Sequence, residues 1–186
     1  MLTLMFLAKS ICEITIIILL LRVWIFLVIS NTYNYFTQFI NIISQPIIKP
    51  IKLFIPDIKN FELSSFIILI IVCIIKYPLL RYFQKDYPPC ISFIMYIIIG
   101  FIALLKSFGY LLFWLVTIRS IFSWFNRNYN DFDIVLNELT DQFLEPIKKF
   151  ISPIYNIDMS PFILSIFLYL LYYLGQDMFP SFWSTI

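Results

Sequence analysis

The chain has 186 residues, 61% of them hydrophobic and 13% charged, with a net charge of +2 and a mean hydropathy of +0.91. A soluble domain carries about 25% charged residues, so the composition places this chain in a membrane and leaves no length for a large soluble domain. The small, scattered positive charge argues against nucleic-acid binding, and the absence of histidine excludes a Ser-His-Asp triad, a His-ligated zinc and a His-ligated haem.

Four apolar spans are predicted. The first, about 11–30, begins at Ile11 (ICEITIIILLLRVWIFLVIS) and has the ~20 residues that cross a ~30 Å hydrocarbon core. Lying close to the amino terminus without a small-residue cleavage pattern, it reads as an uncleaved helix rather than a removed signal peptide. An amphipathic segment follows at 33–56, where Ile40, Ile43, Ile47, Ile51, Phe54 and Ile55 form one stripe. The second span, about 63–80, places Lys76 and Arg81 to snorkel at its end. A polar loop over 81–90, with Pro88 and Pro89, closes it.

From Cys90 to Phe125 the chain is almost wholly apolar. These ~35 residues would make a helix ~52 Å long, yet no Gly-Pro or Asn-Gly turn near Lys106 and Ser107 divides them. One long, tilted or kinked helix over 91–125 is therefore predicted. A second amphipathic segment at 132–153 sets Leu136, Leu139, Phe143, Ile147, Phe150 and Ile151 against Asn137, Glu138, Asp141, Glu145, Lys148 and Lys149. Kinked at its prolines, each amphipathic segment is expected to lie in the membrane surface; the alternative is that its stripe packs against the other repeat. The last span, 161–179, opens with Ser160 as a helix cap and Pro161 in the first turn, and carries Tyr169, Tyr172 and Tyr173 as interfacial aromatics.

The halves repeat. Arg22 recurs 97 residues on as Arg119, while Pro50-Ile51-Lys52 recurs 96 residues on as Pro146-Ile147-Lys148, and Glu62-Leu63-Ser64 as Asp158-Met159-Ser160. The expected fold is an all-α membrane protein of two tandem repeats, 1–80 and 91–186. Each comprises a helical span, an amphipathic surface helix and a second span.

No site chemistry stands out. The three glycines fit no phosphate-binding loop, and Cys12, Cys73 and Cys90 lack metal or redox spacing and read as small membrane-facing hydrophobes. No catalytic residue, cofactor or metal is expected. Arg22 and Arg119 lie inside their spans, where an unpaired arginine costs on the order of 2.5 kcal/mol or more. The repeat suggests two equivalent structural ion pairs, Arg22 with Glu62 and Arg119 with Asp158, each carboxylate favoured by a helix amino end. Glu13 is too far along the helix to partner Arg22 and is expected to reach the headgroups.

The run Arg119-Ser120-Ile121-Phe122-Ser123-Trp124, then Thr140-Asp141, Glu145-Pro146-Ile147-Lys148-Lys149 and Asp158-Met159-Ser160-Pro161 resembles the signature of the YggT membrane-protein family. Arg119, Ser123, Trp124, Pro146, Asp158, Ser160 and Pro161 are the matching positions. The first copy departs from the pattern: Arg22 lacks the Ser-Trp, and Glu62-Leu63-Ser64-Ser65 replaces Asp-x-Ser-Pro. The resemblance implies a bacterial two-repeat inner-membrane protein. It further implies a link to tolerance of osmotic shock; other members are associated with cell division or nucleoid organisation, and plastid relatives with assembly of a b-type cytochrome.

Three function classes follow. The first is a non-enzymatic scaffold or assembly factor whose surface helices meet lipid or a partner membrane protein, with Lys49, Lys52, Lys148 and Lys149 as contacts. The second is a small oligomeric transporter or channel for ions or solutes, against which stand the few polar residues in the spans. The third, an intramembrane enzyme, lacks a clustered acid, base or nucleophile. The expected partners are the bilayer and another membrane protein, or a second copy. Lys49, Lys52, Lys59, Arg127, Lys148 and Lys149 on one face, against Lys9, Lys76, Arg81 and Lys85 on the other, place the amphipathic segments in the cytoplasm.

Overall fold

A computed structural model describes residues 2–29, 34–52, 62–84, 92–125, 131–150 and 158–183. These residues form α1 (Leu2–Val28), α2 (Tyr35–Lys52), α3 (Leu63–Gln84), α4 (Phe93–Phe125), α5 (Asp131–Phe150), α6 (Ser160–Met178) and a terminal turn, α7 (Pro180–Trp183). Four helices, α1, α3, α4 and α6, are long and apolar enough to cross a membrane. The first span begins nine residues earlier than its sequence expectation, because Leu2, Leu4, Phe6 and Leu7 extend the helix without a breaker. The 81–90 loop shortens correspondingly: α3 continues through Pro78 to Gln84, and Lys85, Pro88, Pro89 and Cys90 lie outside the described residues. So do Phe54, Ile55, Lys59, Arg127 and Ile151, and the side chain of Trp124.

The 33 residues of α4 form one continuous helix, ~50 Å long. Gly100 lets it approach α3 closely, since a Cβ there would stand 2.7 Å from Ile74 Cγ1 and 3.0 Å from Ile74 Cα. Small residues serve this purpose between membrane helices, where backbones meet without bulky side chains between them. Near the middle of the helix Lys106 donates a 2.7 Å bond to the Trp183 carbonyl and stands over the rings of Trp183 and Tyr172.

The repeats meet through aromatic rings and the amphipathic helices. Trp24 of α1 lies 4.9 Å from Phe108 of α4 and 5.7 Å from Phe143 of α5, while Phe36 of α2 stacks edgewise on Phe132 of α5 at 4.9 Å. Part of each predicted stripe thus turns into the protein. Ile40 and Ile48 of α2, and Leu136, Leu139 and Leu144 of α5, are buried, and Ile47, Ile51, Phe143 and Ile147 pack half-buried against them. Ile43 remains exposed beside Phe39 and Ile42. Both helices run unbroken through their internal prolines. Each proline removes one backbone donor, which a helix at the rim of the bundle tolerates because water reaches the freed carbonyl.

Cys73 is buried in this core rather than facing lipid, and Cys12 is half-buried.

Candidate functional site

Arg22 stands six residues before the end of α1, with its side chain 8% exposed. Its Nε donates to Glu62 Oε2 at 2.6 Å and its Nη2 to Oε1 at 2.8 Å, the two-pronged geometry that makes arginine-carboxylate pairs strong. Its Nη1 donates to Ser44 Oγ at 2.5 Å and to the Asn41 carbonyl at 3.2 Å, both on α2. Ser44 Oγ donates its own hydrogen bond to the Ile40 carbonyl four residues back, leaving its lone pairs for the guanidinium. Glu62 precedes α3, its carbonyl accepting the Phe66 amide of the first turn, so its charge also faces the helix amino end. Ser65 Oγ donates to Glu62 at 2.8 Å, and Lys52 Nζ stands 3.7 Å away. Burial pushes the Glu62 carboxyl up, but the Arg22 and Ser65 hydrogen bonds and the Arg22 and Lys52 charges outweigh it, holding the group below the ordinary carboxylate value.

The second copy keeps half of this arrangement. Arg119 Nη1 donates to Thr140 Oγ1, which donates in turn to the Leu136 carbonyl at 2.7 Å. Ser44 and Thr140 are 96 residues apart, as are Ile40 and Leu136. The carboxylate is different, however: Arg119 pairs with Asp141 at 2.7 Å, not with Asp158 as the repeat suggested. Asp158 instead meets Lys148 at 3.1 Å and accepts the Ser160 amide at 2.9 Å. The physical reason is proximity within α5. Asp141 follows the hydroxyl that already holds Arg119, whereas the first copy has the neutral Gln45 there, and Arg22 must reach across to Glu62. Asp158 also takes the capping role expected of Ser160, which is the first residue of α6. Burial raises the Asp158 carboxyl, while bonds from Ser160 and Lys148 bring it below its usual value.

A further ionic contact lies away from these clusters, between α1 and α3. Lys76 is 2% exposed and pairs with Glu13 at 3.3 Å; it does not snorkel to the end of α3, and Glu13 turns to it rather than to headgroups alone. The two are 63 residues apart in sequence, and no local pattern links them.

A family model described as CCB3/YggT matches residues 1–83 and 92–179. The chain belongs to the CCB3/YggT family. The chain is 32% identical to "Uncharacterized protein YggT" of Escherichia coli K12, covering 99% of each. It is 29% identical to "Uncharacterized protein in proC 3'region" of Vibrio alginolyticus, covering 97% of each, and 26% identical to an "Uncharacterized protein" of Haemophilus influenzae, covering 94% of this chain and 92% of that one. No solved structure matches.

In this CCB3/YggT protein the motif positions sort by location. Arg119, Thr140 and Asp141 form one cluster; Lys148, Asp158 and Ser160 form another at the start of α6, where Pro161 occupies the first turn. Pro146 is exposed on α5, and Ser123 is exposed near the end of α4. Of the four contact lysines, Lys49 and Lys149 are exposed, and Lys52 and Lys148 engage carboxylates. Sequence reasoning missed Ser44, Thr140 and Asp141 as arginine partners. The available signal was a hydroxyl recurring at the repeat offset inside an otherwise apolar stripe.

Proposed function

We propose that this protein is a non-enzymatic scaffold or assembly factor of the bacterial inner membrane that holds a partner membrane protein against α6, with α2 and α5 on the cytoplasmic side. The observation that carries the reading is the exposure of α6, which packs on α4 and α5 along one side only. In its most apolar 18-residue stretch 6% of α6 is buried, against 28% for α4 and 44% for α1 and α3, although α6 is the least apolar of the four. Phe167, Tyr169, Leu170, Tyr173 and Leu174 are all exposed. Tyr169 lies nine residues into the helix, ~14 Å from its start, where lipid offers a hydroxyl no partner. Tyr169 and Tyr173 answer this by bonding each other at 2.9 Å; polar groups of this kind join helices within membranes. The resemblance to bacterial family members supports osmotic stress as the setting.

A photocrosslinking residue at Phe167 or Leu170 in native membranes, followed by mass spectrometry, tests the reading. A reproducible, near-stoichiometric protein adduct from these positions, and none from Ile71 on α3, is expected. Lipid adducts alone would refute it.

A second reading, a small oligomeric transporter or channel, draws on the buried Lys76, paired with the half-exposed Glu13, and on the half-buried Lys106, since ionisable groups within spans commonly mark pathways. Crosslinks from α6 only to a second copy, together with ion flux in liposomes that Lys76→Met abolishes, would favour it.

A further inference from the structure

A cleft of about 360 Å³ opens beside the first-copy cluster, lined by Arg22, Asn41, Ile42, Gln45, Ile48, Lys49 and Lys52. Three cations and two side-chain amides meet there, and among the described lining residues there is no carboxylate. Glu62 pairs with Arg22 and Lys52, and Lys49 is exposed on α2. Arginine offers five N–H groups, and Glu62, Ser44 and Asn41 take four of those on Arg22. The guanidinium is thereby fixed in orientation at the wall of the cleft.

The second copy provides a control within the same chain. The positions 96 residues on from Asn41, Ile42, Gln45, Ile48, Lys49 and Lys52 are Asn137, Glu138, Asp141, Leu144, Glu145 and Lys148. Three acids therefore stand where the first copy has isoleucine, glutamine and lysine. The apolar position Ile48/Leu144 and the arginine-hydroxyl contact are common to both copies, whereas the charge of the lining and the carboxylate partner of the arginine differ. Asp141 serves as the counter-ion of Arg119, whereas the exchanges of Ile42 for Glu138 and of Lys49 for Glu145 fit an anionic ligand bound by the first copy alone.

We propose that the α1–α2 cleft is a binding site for the phosphate of an anionic phospholipid headgroup, and that the second copy has lost or never had this activity. Phosphate is the fitting chemistry because the exposed, flexible ammonium of Lys49, together with the one Arg22 N–H left uncommitted, presents donors to its tetrahedral oxygens. Lipid is the fitting source because of depth and surroundings. Arg22 lies ~9 Å along the helix axis from the end of α1, near headgroup level. Ile42 lines the cleft at 67% exposure, with exposed Phe39 and Ile43 on the same helix, giving an acyl chain an apolar surface next to the charges. The site does not depend on a partner at α6, and the two readings have separate readouts.

The test is the melting temperature of the full chain in a neutral detergent, titrated with phosphatidylglycerol, phosphatidylcholine or inorganic phosphate. Phosphatidylglycerol is expected to raise the melting temperature and phosphatidylcholine to leave it unchanged. Lys49→Glu, an exposed change that installs the second copy's residue, is expected to weaken the phosphatidylglycerol response about tenfold or more, whereas Glu145→Lys in the second copy leaves it in place. Equal responses to the two lipids, or an undiminished response in Lys49→Glu, would overturn the site. Protection by inorganic phosphate equal to that by phosphatidylglycerol, and lost in Lys49→Glu, would overturn the lipid assignment in favour of a soluble phosphate.

Discussion

Ser44 and Thr140 perform the same task in the two repeats: each hydroxyl donates to the carbonyl four residues back and accepts a hydrogen bond from the arginine of the preceding span. The two halves share this contact and differ in the carboxylate partner, Glu62 in one and Asp141 in the other.

Arg22→Ala should be among the most damaging single changes. It leaves the Glu62 side chain, 12% exposed, without its two-pronged partner, and breaking a buried pair from one side costs about 3–5 kcal/mol. Replacing Arg22 and Glu62 together by Met should recover much of the loss, because no orphaned charge remains. Thermal melts of the three variants in detergent check this; a double variant as unstable as Arg22→Ala would contradict the pairing.

In the second copy the coupling should lie between Arg119 and Asp141. Asp141 is 40% exposed, so a double-mutant cycle should give only about 0.5–1 kcal/mol. The corresponding cycle between Arg119 and Asp158 should give about zero. Asp158 should instead couple weakly to Lys148.

Acid should destabilise the protein through Glu62. Its carboxyl is held below the ordinary value of 4.5 in the folded state, so the unfolded chain takes up protons first as pH falls. The stabilisation is present in full above that value and is lost as pH drops through the lower, folded value. The melting temperature should therefore fall below about pH 4.5, and less steeply in Glu62→Gln.

Gly100 and Gly109 should behave oppositely, though both sit in α4. A methyl at Gly100 would press on Ile74, including its backbone, so Gly100→Ala should cost about 1–3 kcal/mol. At Gly109 nothing lies within 4 Å of the added atom, and Gly109→Ala should stabilise by up to about 1 kcal/mol through helix propensity. Melting curves of the two variants make the comparison directly.

The local pattern of the chain was enough to place four spans, two amphipathic helices, the unbroken run of α4 and the family relationship. Hydropathy and 3.6-residue periodicity are properties of neighbouring residues, and in a membrane the backbone has few alternatives to a helix once a segment is apolar. Partner choice belongs to another order of information. Lys76 and Glu13, 63 residues apart, become neighbours only when α1 and α3 pack, and Arg119 selects Asp141 because α5 brings that carboxylate beside Thr140. The stripe of α2 divides between core and surface for the same reason, since the positions of α1 and α5 decide which isoleucines they cover. Charge pairs and buried faces are fixed by distances between separate helices, and the tertiary structure alone sets those distances.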